Sequence, residues 1–242
     1  MGFKEDLQGH LTNLAVKSFN SRSGNKVPTS DTVGPYDAVT LSETAYLYCD
    51  MADSSSIVTR FGDETGARVL RVFLNAVCRV IKDRGGEIRS FDGDRVMAIY
   101  KGEDAADKAV DTALRIKWAI MHPVHDALLL DSQYRDNYYE TGWKVKHRTG
   151  IHVGWSYIVR GGVRDQNDLV SIGFPANIAA KLSDYKDGGA TIITEEVWDK
   201  LKFSNCYSSK HDNQPMWSDP KWVIIGEGSE KIRTSTWYRY YS

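Results

Sequence analysis

The chain has 242 residues, which is long for one domain and short for two complete ones. Its 41% hydrophobic and 26% charged residues are typical of an ordinary globular protein. A formal net charge of -1 excludes a broad basic surface for nucleic acid or an anionic membrane. An anionic substrate would therefore be bound by a few well-placed cations, metal ions or backbone amides.

Features that would direct the chain into or across a membrane are missing from its sequence. There is no apolar run long enough to span a bilayer, and residues 1–24 lack the apolar core of a secretory signal. The cysteines Cys49, Cys78 and Cys206 are odd in number and scattered, which favours reduced packing residues over a zinc cluster. We therefore expect a cytoplasmic protein that neither inserts into a membrane nor binds nucleic acid.

Residues 1–35 are expected to lie outside the main domain. An amphipathic stretch over residues 3–19 predicts a short helix, and the small, polar residues of 21–35 predict a tether. The helix would cap the surface of its own domain or contact a second copy or another partner. Residues 36–242 would then form the main domain.

The pattern becomes regular in the segment AYLYCDM, residues 45–51. It predicts a strand in which Tyr46, Tyr48 and Asp50 share one face. Apolar residues at helical spacing then predict a helix over residues 65–82, which the following Gly-Gly pair ends.

A β-hairpin is predicted next, because the Asp92-Gly93 turn signal lies between two apolar runs. A second amphipathic helix is expected over residues 104–121, with Pro123 beyond its end. Residues 122–143 are polar and rich in tyrosine, and we interpret them as an irregular insertion.

The rest of the chain again predicts regular structure. We expect a strand pair over residues 145–162 and a turn leading into a helix over 170–184. A strand followed by a helix is expected over 190–201, and two closing strands over 222–241. The order of elements predicts an α+β fold of the ferredoxin-like, split β-α-β type. Its central sheet would be mostly antiparallel and flanked by helices.

Two acidic residues, Asp50 and Asp94, are expected to meet at one edge of this sheet. Asp50 ends the first strand and Asp94 lies at the tip of the hairpin, and a split β-α-β sheet places these strands side by side. Two neighbouring anions repel each other unless one is protonated or a cation is bound. Because oxygen ligands suit Mg²⁺ and Mn²⁺, the pair predicts a divalent metal site. Alternatively, Asp92 and Asp94 only form the turn and Asp50 is an ordinary strand-end residue.

Four segments resemble the signature segments of the class III adenylyl and guanylyl cyclases. They occur in the family order with plausible spacing and cover roughly residues 42–200. Two of them, CDMADSS at 49–55 and FDGDRVMA at 91–98, are similar to the two metal-binding segments of the family. A third, RTGIHVGWSYIVRGG at 148–162, is similar to its Arg-x-Gly-Ile-His-x-Gly hairpin. The fourth, IGFPANIAAKL at 172–182, is similar to its Gly-x-x-x-Asn-(x)3-Arg helix start.

The resemblance implies a role for each matched residue. Asp50 and Asp94 would bind two divalent ions, Mn²⁺ or Mg²⁺, with the Met51 carbonyl as a further ligand. Asn177 takes the position of the asparagine that orients the ribose, and Lys181 that of the transition-state arginine. Lysine offers a point charge where arginine offers a planar fork, so the contact with phosphate would differ.

The resemblance also implies a head-to-tail homodimer with two equivalent active sites at its interface. One subunit would supply the metal ligands and the other the helix that carries the asparagine. The ribose 3′-oxygen would attack the α-phosphorus, and metal activation would make a side-chain base unnecessary. His152 is therefore interpreted as structural, and His122 and His125 as solvated loop residues without a third metal ligand.

The positions that read a purine base in this family are occupied here by Ser90 and Val170. The family has lysine or glutamate at the first and an acidic residue, threonine or cysteine at the second. A site that hydrogen-bonds a base rejects analogues that leave its polar groups unpaired, so losing these groups removes discrimination in favour of purines. Asp92, beside Ser90, and the bulky Tyr46 and Tyr48 are expected to narrow the pocket until it suits a pyrimidine.

These features resemble the bacterial pyrimidine cyclases of an anti-phage system that signals with cyclic UMP or CMP. The leading hypothesis is conversion of UTP to cyclic UMP. An adenylyl cyclase that uses ATP through divergent base contacts is one alternative, and a catalytically silent nucleotide-binding dimerisation module is another. An RNA-binding domain on a similar sheet is disfavoured, because the charge is near neutral and no basic, aromatic sheet-face motif is present.

Overall fold

The computed structural model describes residues 2–163 and 166–241. The strands in this part of the chain are β1 (Asn20–Ser23), β2 (Asp37–Met51), β3 (Glu87–Asp92), β4 (Arg95–Lys101), β5 (His147–Val163), β6 (Gln166–Ile172), β7 (Thr191–Thr194), β8 (Tyr207–Ser208), β9 (Gln214–Pro215), β10 (Lys221–Ile225) and β11 (Gly228–Ser235). The α-helices are α1 (Phe3–Val16), α2 (Ile57–Asp83), α3 (Ala105–Ala119), α4 (His125–Leu128), α5 (Ser132–Thr141), α6 (Phe174–Ser183), α7 (Glu195–Trp198) and α8 (Phe203–Cys206), and a π-helical turn (Ile120–Val124) joins α3 to α4.

The large sheet has the strand order β10-β11-β7-β5-β2-β4-β3, with β1 beside β2 and β6 beside β5 at the far ends of those strands. Its central strands β5-β2-β4-β3, connected through α2 and α3, form the split β-α-β unit. The β1–β2 and β5–β7 pairs are parallel, and the other pairs described are antiparallel. The predicted α+β fold with a mostly antiparallel sheet is confirmed.

Strand β2 is apolar on both faces, which explains its central position. Leu47 and Cys49 pack with α2 and α3 in the larger core cluster. Tyr46 packs on the opposite face with Ala176 and Ala179 of α6. Because both faces of the strand are covered, the side-chain alternation of β2 assigns each of its residues to one helical layer or the other.

The observed β2 is longer than the predicted strand over residues 45–51. A bulge between Leu41 and Thr44, where Glu43 has a φ of 49°, interrupts the side-chain alternation. The residues before the bulge pair with both β1 and β5. The sequence pattern located the strand only where the alternation was regular.

Helix α2 begins at Ile57, earlier than the predicted helix over residues 65–82. Gly62, with φ 69° and ψ 179°, breaks its first turns. Beyond this break, Val69, Phe73 and Val77 are buried, as the helical spacing predicted.

The segment 122–143 is helical, which corrects its interpretation as irregular. Pro123 lies beyond the end of α3, as predicted, and within the π-helical turn that follows it. Leu128 and Tyr134 are buried in the larger core cluster, and the Asp131 carboxylate accepts a hydrogen bond from the Tyr134 amide at 3.0 Å. Burial against the core outweighs the polar composition from which the irregularity was inferred.

The N-terminal region lies partly on and partly outside the sheet. Helix α1 is exposed along its whole length, as expected of a peripheral element. The segment predicted to be a tether instead contributes β1 to the sheet, and Val33 is buried in the core cluster on the α6 side. The domain boundary at residue 35 remains a prediction.

Two expectations from composition, packed cysteines and the lack of a membrane-spanning segment, can be compared with the described residues. Cys49, Cys78 and Cys206 are free thiols that are buried or half-buried, which fits their predicted role in packing. No helix in ranges 2–163 and 166–241 has the length and apolar character needed to cross a bilayer.

Gly150 is the point at which β5 contacts α6. A Cβ atom there would clash with the Ala179 carbonyl oxygen and lie 2.5 Å from the Ser183 amide nitrogen. Gly150→Ala should therefore lower the free energy of unfolding by about 2–3 kcal/mol, measured by urea denaturation. Gly9→Ala, on exposed α1 with no atom within 4 Å of the added Cβ, is the control and should not lower it. An unchanged midpoint for Gly150→Ala would contradict the observed packing.

Candidate active site

Asp50 and Asp94 lie at the same end of two neighbouring central strands. The β2–β4 pairing places Cys49 opposite Val96, so Asp50 lies beside the residues that begin β4. Gly93 has a φ of 60°, which glycine adopts without steric cost, and it allows the tight turn that carries Asp94. The structure therefore brings these two predicted residues together.

The environment of the two carboxylates favours a bound cation. Burial and the negative charge of Asp94 raise the pKa of the Asp50 carboxyl group. The Oδ2 atom of Asp94 is buried and has no hydrogen-bond partner among the described residues. A buried carboxylate oxygen without a partner is costly, and a divalent cation would remove that cost. The oxygen donors present therefore fit Mg²⁺ or Mn²⁺.

The pair does not by itself complete a metal coordination shell. In the described part of the chain, no group of three or more His, Cys, Asp or Glu side chains converges as a metal site. Met51, whose carbonyl is the predicted third ligand, is the last residue of β2 and is itself buried. Mg²⁺ commonly uses one or two carboxylates and completes its shell with water and substrate phosphate, so two aspartates are sufficient.

Arg95, which was not predicted as a site residue, connects the carboxylate pair to α6. Its Nε atom lies 3.4 Å from Asp50 Oδ1, and its Nη2 atom forms an ion pair with Asp184 at the end of α6. The guanidinium also lowers the pKa of Asp50, against the raising effects of burial and Asp94. A recognisable signal was present, because Arg95 follows Asp94 directly and begins the strand beside Asp50.

Asn177 and Lys181 both lie on the exposed side of α6. Ala176 and Ala179 occupy its other side and pack against the sheet. The Lys181 side chain reaches Gly226 in the β10–β11 turn, where an added Cβ would collide with it. In the described part of the chain, neither Asn177 nor Lys181 has a hydrogen bond or ion pair with Asp50 or Asp94.

The predicted base-binding residues Tyr48 and Asp92 are close to each other. Tyr48 is half-buried on the same face of β2 as Asp50. Its pKa is raised by burial, then by Tyr46 and Asp92, and is lowered by Arg95. Tyr48 thus lies near both Asp92 and Arg95 of the β3–β4 hairpin.

Ser90 and Val170 belong to different strands that approach each other through an ion pair. Arg89, at a bulge in β3, lies 3.9 Å from Asp168 of β6. Ser90 follows it and is half-buried, whereas Val170 is 48% exposed on β6. Arg89 was missed from sequence because a bulge changes which face a side chain occupies.

The histidines discussed from sequence, His122, His125 and His152, are packing residues. His152 is 5% exposed, and its Nδ1 atom lies 2.8 Å from Thr194 Oγ1. Its register partner Tyr46 is four residues from Asp50, about 13 Å along the strand, which supports a structural role. His122 and His125 are not solvated loop residues as predicted. They lie in helical turns and contact aromatic side chains, including Trp118, Tyr134, Tyr138, Tyr238 and Tyr240.

His152 should make stability depend on pH. Burial lowers its pKa to about 4, and its Nε2 atom lies 3.4 Å from Glu196 Oε2. The unfolded chain takes up this proton at a higher pH, near 6.5, so the stabilisation is present above about pH 6.5 and is lost as the pH falls toward 4. As the pH falls from about 7.5 to about 5, the wild-type protein should lose about 2 kcal/mol more unfolding free energy than His152→Gln, measured by urea denaturation. Exposed His10→Gln should retain the wild-type pH dependence; a wild-type dependence in His152→Gln would exclude this role.

Curated proteins of known name are similar to this chain over nearly its whole length. The chain is 31% identical over 239 residues to a uridylate cyclase of Rhodovulum sp., covering 98% of both chains. It is 32% identical over 239 residues to a uridylate cyclase of Burkholderia cepacia, again covering 98% of both chains. No protein-family model matches the chain.

Solved structures of nucleotidyl cyclases share the fold. An adenylyl cyclase from P. aeruginosa has a TM-score of 0.63 at 17% identity, covering 84% of this chain and 97% of that one. A guanylate cyclase domain from Catenaria anguillulae, in complex with GTP, has a TM-score of 0.62 at 15% identity, covering 83% and 99%. The structural similarity shows the fold and the near-complete sequence matches show the family, so the chain belongs to the uridylate cyclase family.

Proposed function

We propose that this chain is a uridylate cyclase, which converts UTP to 3′,5′-cyclic UMP and pyrophosphate at an active site shared by two copies. The observation that carries the proposal is the unpartnered, buried Asp94 Oδ2 atom beside Asp50, whose pKa is raised. This carboxylate pair lies in a chain that matches the Rhodovulum uridylate cyclase over 98% of its length.

In the proposed reaction, the ribose 3′-oxygen attacks the α-phosphorus. The bond from that phosphorus to the oxygen bridging the α- and β-phosphates breaks, pyrophosphate leaves with the electron pair, and the hydroxyl proton passes to solvent. Asp50 and Asp94, with the Met51 carbonyl, would hold two divalent ions, Mn²⁺ or Mg²⁺. When bound, these ions supply Lewis-acid stabilisation of the triphosphate and lower the pKa of the 3′-hydroxyl.

The proposed active site takes its other half from a partner copy. Asn177 and Lys181 are exposed on α6 and, among the contacts of the described residues, make no polar contact with Asp50 or Asp94 of their own copy. Their position favours a head-to-tail homodimer in which α6 of one copy faces the carboxylates of the other. Lys181 would stabilise negative charge on the reacting phosphate, and Asn177 would orient the ribose.

The preference for uracil rests on the residues around the base. Ser90 and Val170 lack the polar groups that the family uses to read a purine. Half-buried Tyr48 and neighbouring Asp92 restrict the space on the same face of the sheet. A pocket restricted in this way suits the smaller pyrimidine ring better than a purine.

Mass spectrometry of the products from an equimolar mixture of UTP, CTP, ATP and GTP with Mn²⁺ tests the substrate. Cyclic UMP should exceed each other cyclic nucleotide by about tenfold or more, a preference of about 1.4 kcal/mol or more in transition-state binding. Asp50→Asn protein, purified in parallel, controls for a contaminating cyclase. A predominance of cyclic AMP would favour the adenylyl cyclase alternative, and no product from any nucleotide would favour a silent dimerisation module.

We also propose that cyclic UMP made by this chain acts as a second messenger in defence against phage. Support comes from the resemblance of its base-binding positions to those of pyrimidine cyclases with that role. Phage should form fewer plaques on a native host carrying the wild-type chain than on one carrying Asp50→Asn. Equal plating on both hosts would contradict the role.

A further inference from the structure

A basic cavity of about 310 Å³ lies beside the loops that precede β5 and β7 and the C-terminal end of α3. Its charged lining consists of Lys117, Lys144, Lys146, Arg148, Lys186 and Asp53. Five of the residues that line it are thus basic and one is acidic, in a chain whose formal net charge is only -1.

Among the residues that the structure describes, the basic residues of this cavity have no acidic partner. None of the five forms an ion pair with an Asp or Glu among the described residues. Lys117 donates a hydrogen bond to the Thr236 carbonyl oxygen, which carries no net charge. Like charges gathered in this way repel one another, and a bound anion would offset that repulsion.

A buried histidine supplies a second, independent indication of a ligand. His147 lines the cavity and is 6% exposed, and its buried Nε2 atom has no hydrogen-bond partner within ranges 2–163 and 166–241. An imidazole nitrogen forms one hydrogen bond, as donor or acceptor, and a buried polar atom normally has such a partner. A ligand in the cavity would supply it.

The cavity and the catalytic carboxylates lie on opposite faces of the sheet. His147 is the register partner of Met51, and Met51 packs in the cluster with α2 and α3. Asp50 precedes Met51 and therefore points to the other face. The cavity nevertheless includes Ala52 and Asp53, the two residues that follow Met51. A ligand bound in the cavity would therefore contact the loop that follows the proposed metal ligands.

We propose that this cavity is a second anion-binding site, distinct from the catalytic site, which takes a small molecule carrying phosphate groups. Its volume corresponds to about ten water molecules, which is enough for pyrophosphate or a mononucleotide. Inorganic pyrophosphate released by the reaction and a free nucleotide are two sources of the same chemistry. Only the first source rests on the proposed function.

Isothermal titration calorimetry in EDTA, with pyrophosphate and UMP as separate probes, tests the site without turnover. The protein carries Asp50→Asn and Asp94→Asn, so that metal-dependent binding at the catalytic site is absent. At least one probe should bind this protein, and the added changes Lys144→Gln and Lys186→Gln should weaken binding by about tenfold or more. The control pair Lys26→Gln and Lys210→Gln, outside the cavity, should leave the affinity unchanged.

The relative affinities identify the source of the anion. Tighter binding of pyrophosphate supports feedback by the reaction product, and tighter binding of UMP supports sensing of a free nucleotide. The proposal is overturned if neither probe binds, or if the cavity changes and the control changes weaken binding equally. Matching circular dichroism melting curves for the two sets of variants exclude unfolding as the cause. Failure of the chain to make cyclic UMP would leave these binding results interpretable, because no catalysis is measured.

Discussion

Asp50→Asn and Asp94→Asn should each reduce formation of cyclic UMP by about a thousandfold or more. A bound divalent ion contributes several kcal/mol of transition-state stabilisation, and a loss of about 4 kcal/mol corresponds to a factor of about a thousand in rate. Asparagine keeps the shape of aspartate but removes the negative charge that attracts the cation. Initial rates of cyclic UMP formation from UTP, at saturating Mn²⁺, measure the effect.

The same two changes should not destabilise the metal-free protein. Burial and the charge of Asp94 raise the pKa of Asp50, so the two carboxylates oppose each other when no cation is bound. Removing one charge relieves this repulsion, and urea denaturation in EDTA should give an unfolding free energy equal to or above the wild-type value. Exposed Asp63→Asn is the control for both assays and should behave as wild type. Wild-type turnover by either active-site variant would exclude the carboxylate pair from the mechanism.

The parts of the fold that could be predicted depend on local patterns. The strand with Tyr46 and Tyr48, the helix with Val69 and Phe73, and the Asp92-Gly93 turn region are encoded by periodicity and turn residues. The N-terminal half of β2 could not be found, because the bulge before Thr44 interrupts its alternation. The helices within 122–143 depend on the burial of Leu128 and Tyr134, which only the tertiary fold provides.

The candidate site likewise contains residues that could be predicted from local sequence and residues that could not. Asp50 and Asp94 could be paired from sequence because one ends a strand and the other lies in the next hairpin turn. The Arg95–Asp184 ion pair joins residues 89 positions apart, and its formation depends on how α6 crosses the sheet. Arg89 reaches Asp168 across a bulge, so no regular strand pattern would reveal it. Residues that act through long-range pairing were therefore the ones missed.

The near-neutral net charge is the sum over a chain that contains one strongly negative and one strongly positive region. The Asp50–Asp94 pair concentrates negative charge at one sheet end, and the cavity beneath Met51 concentrates positive charge on the other face. Each region contains a buried polar atom that has no partner in the described part of the chain, Asp94 Oδ2 in the first and His147 Nε2 in the second. A cation in the first and an anion in the second would satisfy both atoms, so local charge is a better guide to ligands here than composition.

Mixing two inactive variants should restore activity if the active site lies between two copies. Asp94→Asn damages the half with the metal ligands, and Lys181→Ala damages the half with α6. Each variant alone should lose about a hundredfold or more in rate, because every site in its homodimer carries the lesion. Lys181 is exposed, so its truncation should leave the fold intact.

After subunit exchange in an equimolar mixture, about half of the dimers contain one copy of each variant. In such a dimer one site carries both lesions and the other carries neither, so the mixture should regain roughly a quarter of wild-type activity. Mixing Asp50→Asn with Asp94→Asn is the matched control and should restore nothing, because both lesions affect the same half. If the first mixture stayed inactive while gel filtration showed dimers, Asp94 and Lys181 would have to act within one chain. Recovery in the first mixture alone would establish that each active site needs the carboxylates of one copy and the Lys181 helix of the other.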